Sequence, residues 1–410
     1  MESLEAFRQR ARAWLADNLP RLPPDAEPWN AMRVAPGDAD RARTLQKTLF
    51  DAGFAGLCFP EEYGGRGLPR EYQAVFTEES RPYEMPLLFN TPTLTIIAPT
   101  ILDMGTEEQK RRHLPAMIRG DELWVQFMSE PSGGSDLAGV ITSAAFDGAN
   151  YVLNGSKIWS SYASFSDYAI CLARTDWDAV KHRGLTMFMM KIHQPGITVN
   201  RIRQSDGNVE FCQEFFDDLA VPPEHVIGKV NDGWTVAQRL LFHERSATGG
   251  SSPYASGTAG RRREDIDDLV RLARAAGRAD DPHIRDLLAE VHVLQTVQGQ
   301  TAERVVAGIA AEALPATAGA LLRLFTGLNG LRRNDIAIEI ANTDAVAWDA
   351  RTSDGDAGKA YVFRQAWCLG GGSTEMQRNI ISERVLGMPR EPAADRGIPF
   401  KDVRRNAPIK

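Results

Sequence analysis

The spacing of the apolar residues changes twice along the chain, and that order constrains the fold more than any single motif. "LEAFRQRARAWLADNL", "ADRARTLQKTLFDAG", "REYQAVFTEES" and "TEEQKRRHLPAMIRG" carry apolar side chains at helical spacing. From Leu123 the spacing falls to two, in "ELWVQFMSEP", "YVLNGSKIWSS", "YAICLART", "LTMFMMKI", "ITVNRI" and "CQEFFDDLAVP", with turns at "FDGANY" and "HQPG". After "NDGW" the helical spacing returns, in "WTVAQRLLFHERSA", the long "DPHIRDLLAEVHVLQTVQGQTAERVVAGIAAEA", "GALLRLFTGLNGLRRNDIAIEIAN" and the final "TEMQRNIISERVL". The pattern predicts an α+β chain in three parts: an N-terminal helical domain over 1–121, a central antiparallel β domain over 122–233, and a C-terminal helical bundle over 234–410. "SPYASGTAGRRRED" and "TSDGDAGK" read as loops inside the last part.

Several function classes are excluded. Lys+Arg 47 against Asp+Glu 54 gives a net charge of −7 with no long block of one sign, so neither a nucleic acid nor a membrane surface is an expected partner. The cysteines, Cys58, Cys171, Cys212 and Cys368, lie far apart without a C-x-x-C pair, which predicts buried thiols and no metal. No stretch reaches about 18 uninterrupted apolar residues, and the first helix has no apolar leader core, so a soluble cytoplasmic protein is expected. A P-loop reading of "SDGDAGKA" fails, because Ser353 stands where the first glycine is needed and Ala360 follows Lys359. There is also no G-x-G-x-x-G after a strand, no H-E-x-x-H and no G-x-S-x-G.

One stretch does suggest chemistry. In "QFMSEPSGGSDLAGVITSA" a strand ends near Ser129, Pro131 breaks it, and Ser132 to Ser135 form a turn rich in N–H and hydroxyl donors. Such a turn either cradles a pyrophosphate or a flavin edge, which the glycines let the backbone approach, or is a loose β turn.

That stretch stands in order with others that resemble the acyl-CoA dehydrogenase family. "FPEEYGGRGL" resembles the family's P-E-x-Y-G-G loop, and Gln126 to Thr142 is similar to T-E-P-x-x-G-S-D-x-x-x-x-x-T with Ser129 at the threonine. "LNGSKIWSSYASFSDYAICLART" is similar to N-G-x-K-x-W-I-T and the strand after it, and "DDLAVPPEHVIGKVNDGW" resembles D-V-x-V-P-x-x-x-x-I-G leading to G-W. "GGGSTEMQRNIISERVLGMPRE" resembles G-G-T-x-E-I-Q-R-N-I-I-x-x-R-V-L-G-L-P-R. The resemblance covers most of the chain.

It implies FAD held between the β domain and the C-terminal helices, and oxidation of an acyl-CoA thioester. A base would take the α-proton while a hydride leaves Cβ for flavin N5. An α-proton beside a thioester is only weakly acidic, so the carbonyl must be polarised and the base kept from water. Position by position, Ser129 would touch the flavin ring, Ser135 the FAD or CoA phosphates, Trp159 would cover the isoalloxazine, and Ser161 would sit near N5. At 129 and 161 serine replaces the family's usual threonine, which keeps the hydroxyl and loses a methyl.

The base itself is displaced. Many members carry it in a Y-E-G-T turn, whose glutamate position here is Gly371; Glu375, four residues on, reads as a first-turn helix acid. Other members carry it in an E-R pair on an earlier helix, matched here by Glu244-Arg245 in "RLLFHERSATGG". On a helix from Trp234, Glu244 shares a face with Leu240 and Leu241. The resemblance therefore implies Glu244 as base, with Arg245, Ser135 and a Gly371 N–H at the substrate. The bare Gly371 turn leaves room for a branched, cyclic or sterol-derived acyl group.

The family's R-x-x-F-G contact to FAD is missing from "DLVRLARAAGRADDPHIRD", where Arg271, Arg274 or Arg285 is a candidate substitute. The expected partners are an acyl-CoA and an electron-transfer flavoprotein, in a homo-oligomer or an α2β2 heterotetramer. Two rival readings stay open: a subunit that does not complete a flavin site alone, and a flavin oxidase or monooxygenase on the same fold.

Overall fold

The computed structural model describes residues 2–23, 35, 37–248, 252–259, 266–347 and 356–404. Helices α1 (Leu4–Asn18), α2 (Asp38–Asp51), α3 (Arg70–Ser80), α4 (Ala98–Met104) and α5 (Glu107–Arg119) come first. Their ends follow the sequence: Ser3 caps α1, Thr106 and Gln109 form a reciprocal capping box on α5, and Gly120 ends α5 at φ +93°. In the Y-G-G loop a Cβ on Gly65 would lie 2.0 Å from the Phe59 carbonyl oxygen, so the backbone approach there admits only glycine.

One helical stretch has no amphipathic signature. Phe89–Ile97 forms wide π-type turns that run directly into α4, with Pro92 inside. Nearly every residue of it is buried, so it has no polar face to give it a period, and Pro92 and its β-branched residues argue locally against a helix. It packs against Trp124–Phe127 and the helix that carries Glu244.

The strands are β1 (Trp124–Phe127), β2 (Ser143–Phe146), β3 (Tyr151–Ser161), β4 (Tyr168–Arg174), β5 (Leu185–Lys191), β6 (Ile197–Arg201), β7 (Phe211–Val221) and β8 (Val226–Ile227). Their order is β6-β7-β3-β2-β4-β5-β8, with β1 beside β4. The sheet is mainly antiparallel, as expected, but β1 runs parallel to β4, because the chain between them travels out through β2 and β3 and returns. Helix α6 (Gly233–Thr248) follows. Then come α7 (Ile266–Ala275), α8 (Pro282–Ala310), α9 (Gly319–Ala341), α10 (Asp356–Phe363) and α11 (Thr374–Ile380).

By contacts the chain divides into two units: Met1–Gln204, Asn208–Arg261 and Ala393–Lys410 form one, and Ser205–Gly207 with Arg262–Pro392 the other. The first has a continuous apolar core running from Phe7 in α1 through the sheet to Leu240 in α6. The second has a smaller core, in which α7 (Leu269, Ala273) and α8 (Ile284, Leu287, Val291) meet α9 (Ile336, Ile340). The basic run at 260–265, the glycines at 249–250 and residues 351–355 of the "TSDGDAGK" loop lie outside the described residues. Among the described residues no helix is long and apolar enough to cross a membrane, and no cluster of potential metal ligands occurs.

Candidate active site

The site is built where β1 and β3 end beside α6. Between Ile158 and Ser160 the β3–β7 register slips by a bulge, and Trp159 takes a left-handed φ of 66°. A tryptophan in that conformation is strained by about 1 to 3 kcal/mol. The extra residue puts the sequence neighbours Ile158 and Trp159 on one cavity wall together with Ser161. It also turns Lys157 and Ser160 inward, where both are buried.

The cavity, of about 180 Å³, is lined by Thr91, Pro92 and Ile96 from the π-type turns, Gln126, Met128 and Ser129 from β1 and its end, Ile158, Trp159 and Ser161 from β3, Tyr162 just after it, and Glu210 before β7. Trp159 keeps 55% of its surface exposed and meets Phe211 edge-on at 5.8 Å. Tyr162, also at φ 66°, is buried, and burial together with the Glu210 charge pushes its phenol far up. Two polar groups on its lining residues stand without a partner among the described residues. Gln126 Oε1 is buried with no hydrogen-bond partner, and Ser129 Oγ makes no hydrogen bond among the described residues. An exposed indole beside orphaned acceptor and hydroxyl groups fits a planar ring with a polar edge.

Glu244 is reached through Gln126, whose Nε2 donates to Glu244 Oε2 at 2.8 Å. Helix α6 buries Val236, Ala237, Leu240 and His243 at helical spacing, which leaves Glu244 half-buried on the flank. His243 does not act with Glu244. Its Nε2 lies 2.7 Å from Asp103 Oδ2, and although burial pushes the Asp103 carboxyl up, His243 and Arg239 together hold it below its ordinary range.

Ser129, Trp159 and Ser161 thus line one cavity, and Glu244 is tied to its wall. Ser135 does not line it and is exposed in the turn after Pro131; Arg245 is exposed on α6. Gly371 belongs to the second unit, in the turn before α11 at φ +68°, where its N–H makes no hydrogen bond among the described residues. The Gln377 side chain donates to the Gly371 and Gly372 carbonyls, and Arg323 to those of Gly370 and Trp367. Glu375 stands exposed in the first turn of α11, where its own backbone N–H and the Thr374 and Ser373 hydroxyls hold its carboxyl low.

Sequence reasoning missed Gln126 and Glu210. Gln126 was visible as the one polar residue in "WVQFM". Glu210 sits in an ordinary loop sequence, "DGNVEF", that carries no signal.

The acyl-CoA dehydrogenase N-terminal, middle and C-terminal domain models match residues 1–121, 126–219 and 231–386. "Acyl-CoA dehydrogenase IpdE1" of Mycobacterium tuberculosis is 35% identical, over 95% of this chain and 99% of that protein. The solved structure "Tcur3481-Tcur3483 steroid ACAD" superposes with a TM-score of 0.75 at 26% identity, covering 95% of this chain and 99% of that one. The "ChsE4-ChsE5 complex from Mycobacterium tuberculosis" gives 0.70 at 25% identity, with the same two coverages. The chain belongs to the acyl-CoA dehydrogenase family, as an FAD-dependent oxidoreductase that dehydrogenates an acyl-CoA.

Proposed function

We propose that Glu244 is the base of this dehydrogenation, that the acyl group is bulky and sterol-derived, and that the electrons pass to an electron-transfer flavoprotein. The observation that carries the base is the 2.8 Å hydrogen bond from Gln126, which lines the cavity, to the Glu244 carboxylate. Ser129, Trp159 and Ser161 would hold the ring of FAD, with Gln126 Oε1 as a further acceptor. Bound there, FAD supplies the acceptor for the hydride from Cβ. The chain's own residues do the rest. Gln126 fixes the carboxylate of Glu244, and the buried face of α6 fixes the backbone beneath it. Pro92, Ile96, Met128 and Ile158 line the cavity with carbon. Ser135 in its exposed turn would meet a phosphate, and Arg245 the CoA moiety.

Two features support the bulky acyl group: the structural relative named a steroid enzyme, and a glycine at 371 where other members place a glutamate. Both named structural relatives pair two different chains, which favours the reading that this chain also works in an α2β2 assembly with a second, related chain. The test is to purify the chain alone and with such a chain, record the flavin spectrum, and follow bleaching by a panel of acyl-CoAs. Glu244→Gln is expected to keep the flavin and slow bleaching about 10²- to 10⁴-fold. Full activity of that variant rejects the base, and activity confined to short straight chains rejects the acyl group.

A further inference from the structure

Ser161 and Glu210 face the same cavity, and the Ser161 hydroxyl donates to Glu210 Oε1 at 2.8 Å. Glu210 is 8% exposed, and two constraints keep it there. The Tyr162 N–H donates to its carbonyl at 3.1 Å, and Ser161 pairs in register with Phe211, the next residue. A hydroxyl has one proton and two lone pairs. With the proton committed to Glu210, Ser161 can offer the cavity only a lone pair.

We propose that Glu210 is a positioning residue that fixes the Ser161 hydroxyl as an acceptor toward the cavity, and through it raises the reduction potential of the flavin. This rests on the reading of the cavity as the site of the flavin ring. A flavin ring nitrogen that is a bare lone pair when oxidised becomes an N–H when reduced. An oriented acceptor pairs with the N–H and repels the lone pair, so it favours the reduced form. A hydroxyl free to turn would donate to the lone pair and favour the oxidised form. The carboxylate charge acts the other way, against the electron-rich reduced ring, so the two effects must be separated by mutation.

Glu210→Gln removes the charge and keeps an oxygen that can accept from Ser161. Glu210→Ala also removes the charge and releases the hydroxyl; Glu210→Leu keeps the volume and serves if the alanine variant does not fold. The midpoint potential of each FAD-loaded full-length variant is measured against a reference dye, in the assembly in which the chain purifies. The expected result is a Glu210→Ala potential below that of Glu210→Gln by about tenfold in the oxidised-to-reduced ratio, ~30 mV for a two-electron couple. In a Ser161→Ala background that gap closes. Equal potentials in the two variants, with FAD bound and its spectrum normal, overturn the inference and leave the cavity assignment standing. A gap that persists without the Ser161 hydroxyl overturns it as well. If the wild-type chain takes up no FAD in any assembly, the cavity assignment falls, and the inference falls with it.

Discussion

Glu130 and Glu214 are both buried beside Lys157, with 4% and 0% of their surfaces exposed, yet their carboxyls are shifted in opposite directions. Glu130 accepts from the Ile141 N–H at 2.7 Å, the Thr142 N–H at 2.9 Å and Lys157 Nζ at 2.9 Å. Burial pushes its carboxyl up, but the Lys157 charge and those donors together hold it below its ordinary range. Glu214 accepts from Ser160 Oγ at 2.9 Å, and its Oε1 has no partner among the described residues. There burial wins, and the carboxyl is pushed up to about 8. Burial therefore does not by itself decide which way a carboxyl in this fold is shifted; the cation and the donors that converge on it do.

The largest expected effect comes from removing the shared cation. Lys157→Met leaves Glu130 as a buried charge without its ion pair, a change of about 3 to 5 kcal/mol in stability. Denaturant unfolding measures it, and Lys157→Met combined with Glu130→Gln is expected to recover a good part of the loss, because the neutral amide does not need a cation. A single variant as stable as wild type would mean that the backbone donors alone hold Glu130, and the contrast with Glu214 would shrink to a difference in backbone geometry.

Next in size is the pH dependence that Glu214 imposes. Its folded carboxyl releases its proton at a higher pH than the unfolded one, so its contribution is fully favourable below the ordinary carboxylate range and is lost as pH rises toward about 8. At ~1.4 kcal/mol per pH unit, the loss between pH 6 and pH 9 is on the order of 3 kcal/mol. Glu214→Gln should flatten that slope, seen as unfolding midpoints at the two pH values that differ less than those of wild type. An unchanged slope would place the ionisation elsewhere.

These two carboxylates also mark how far the sequence could be read. The α, β, α order followed from periodicity, and the "SEPSGGSD" and "NGSKIW" motifs pointed to one site. Their Glu130 and Lys157 meet as a buried ion pair 27 residues apart in sequence, so part of what those motifs specify is the core beneath the cavity. Glu214 was readable from parity: Cys212 and Phe216 face inward in β7, and the residue between them by twos must do so too. The bulge at Trp159 was not readable, because it depends on pairing with β7 fifty residues away, and neither was the Gln126–Glu244 bond across 118 residues. The stretch over Phe89–Ile97 escaped because a helix buried on all sides has no period.

The smallest expected effect is also the most discriminating. Ser160→Ala removes the hydrogen bond to Glu214 without touching the cavity, because the bulge turns Ser160 to the opposite side from Trp159 and Ser161. At pH 6 Glu214 is neutral, and the lost bond is a neutral one, about 1 kcal/mol. At pH 9 the carboxylate is ionised, and the same hydroxyl supplies a charge-assisted bond of about 1.5 to 3 kcal/mol. The destabilisation by Ser160→Ala should therefore grow between pH 6 and pH 9 while FAD binding stays unchanged. An effect of equal size at both values would mean that Glu214 does not change charge in that window, and that two buried carboxylates with different numbers of donors share one charge state after all.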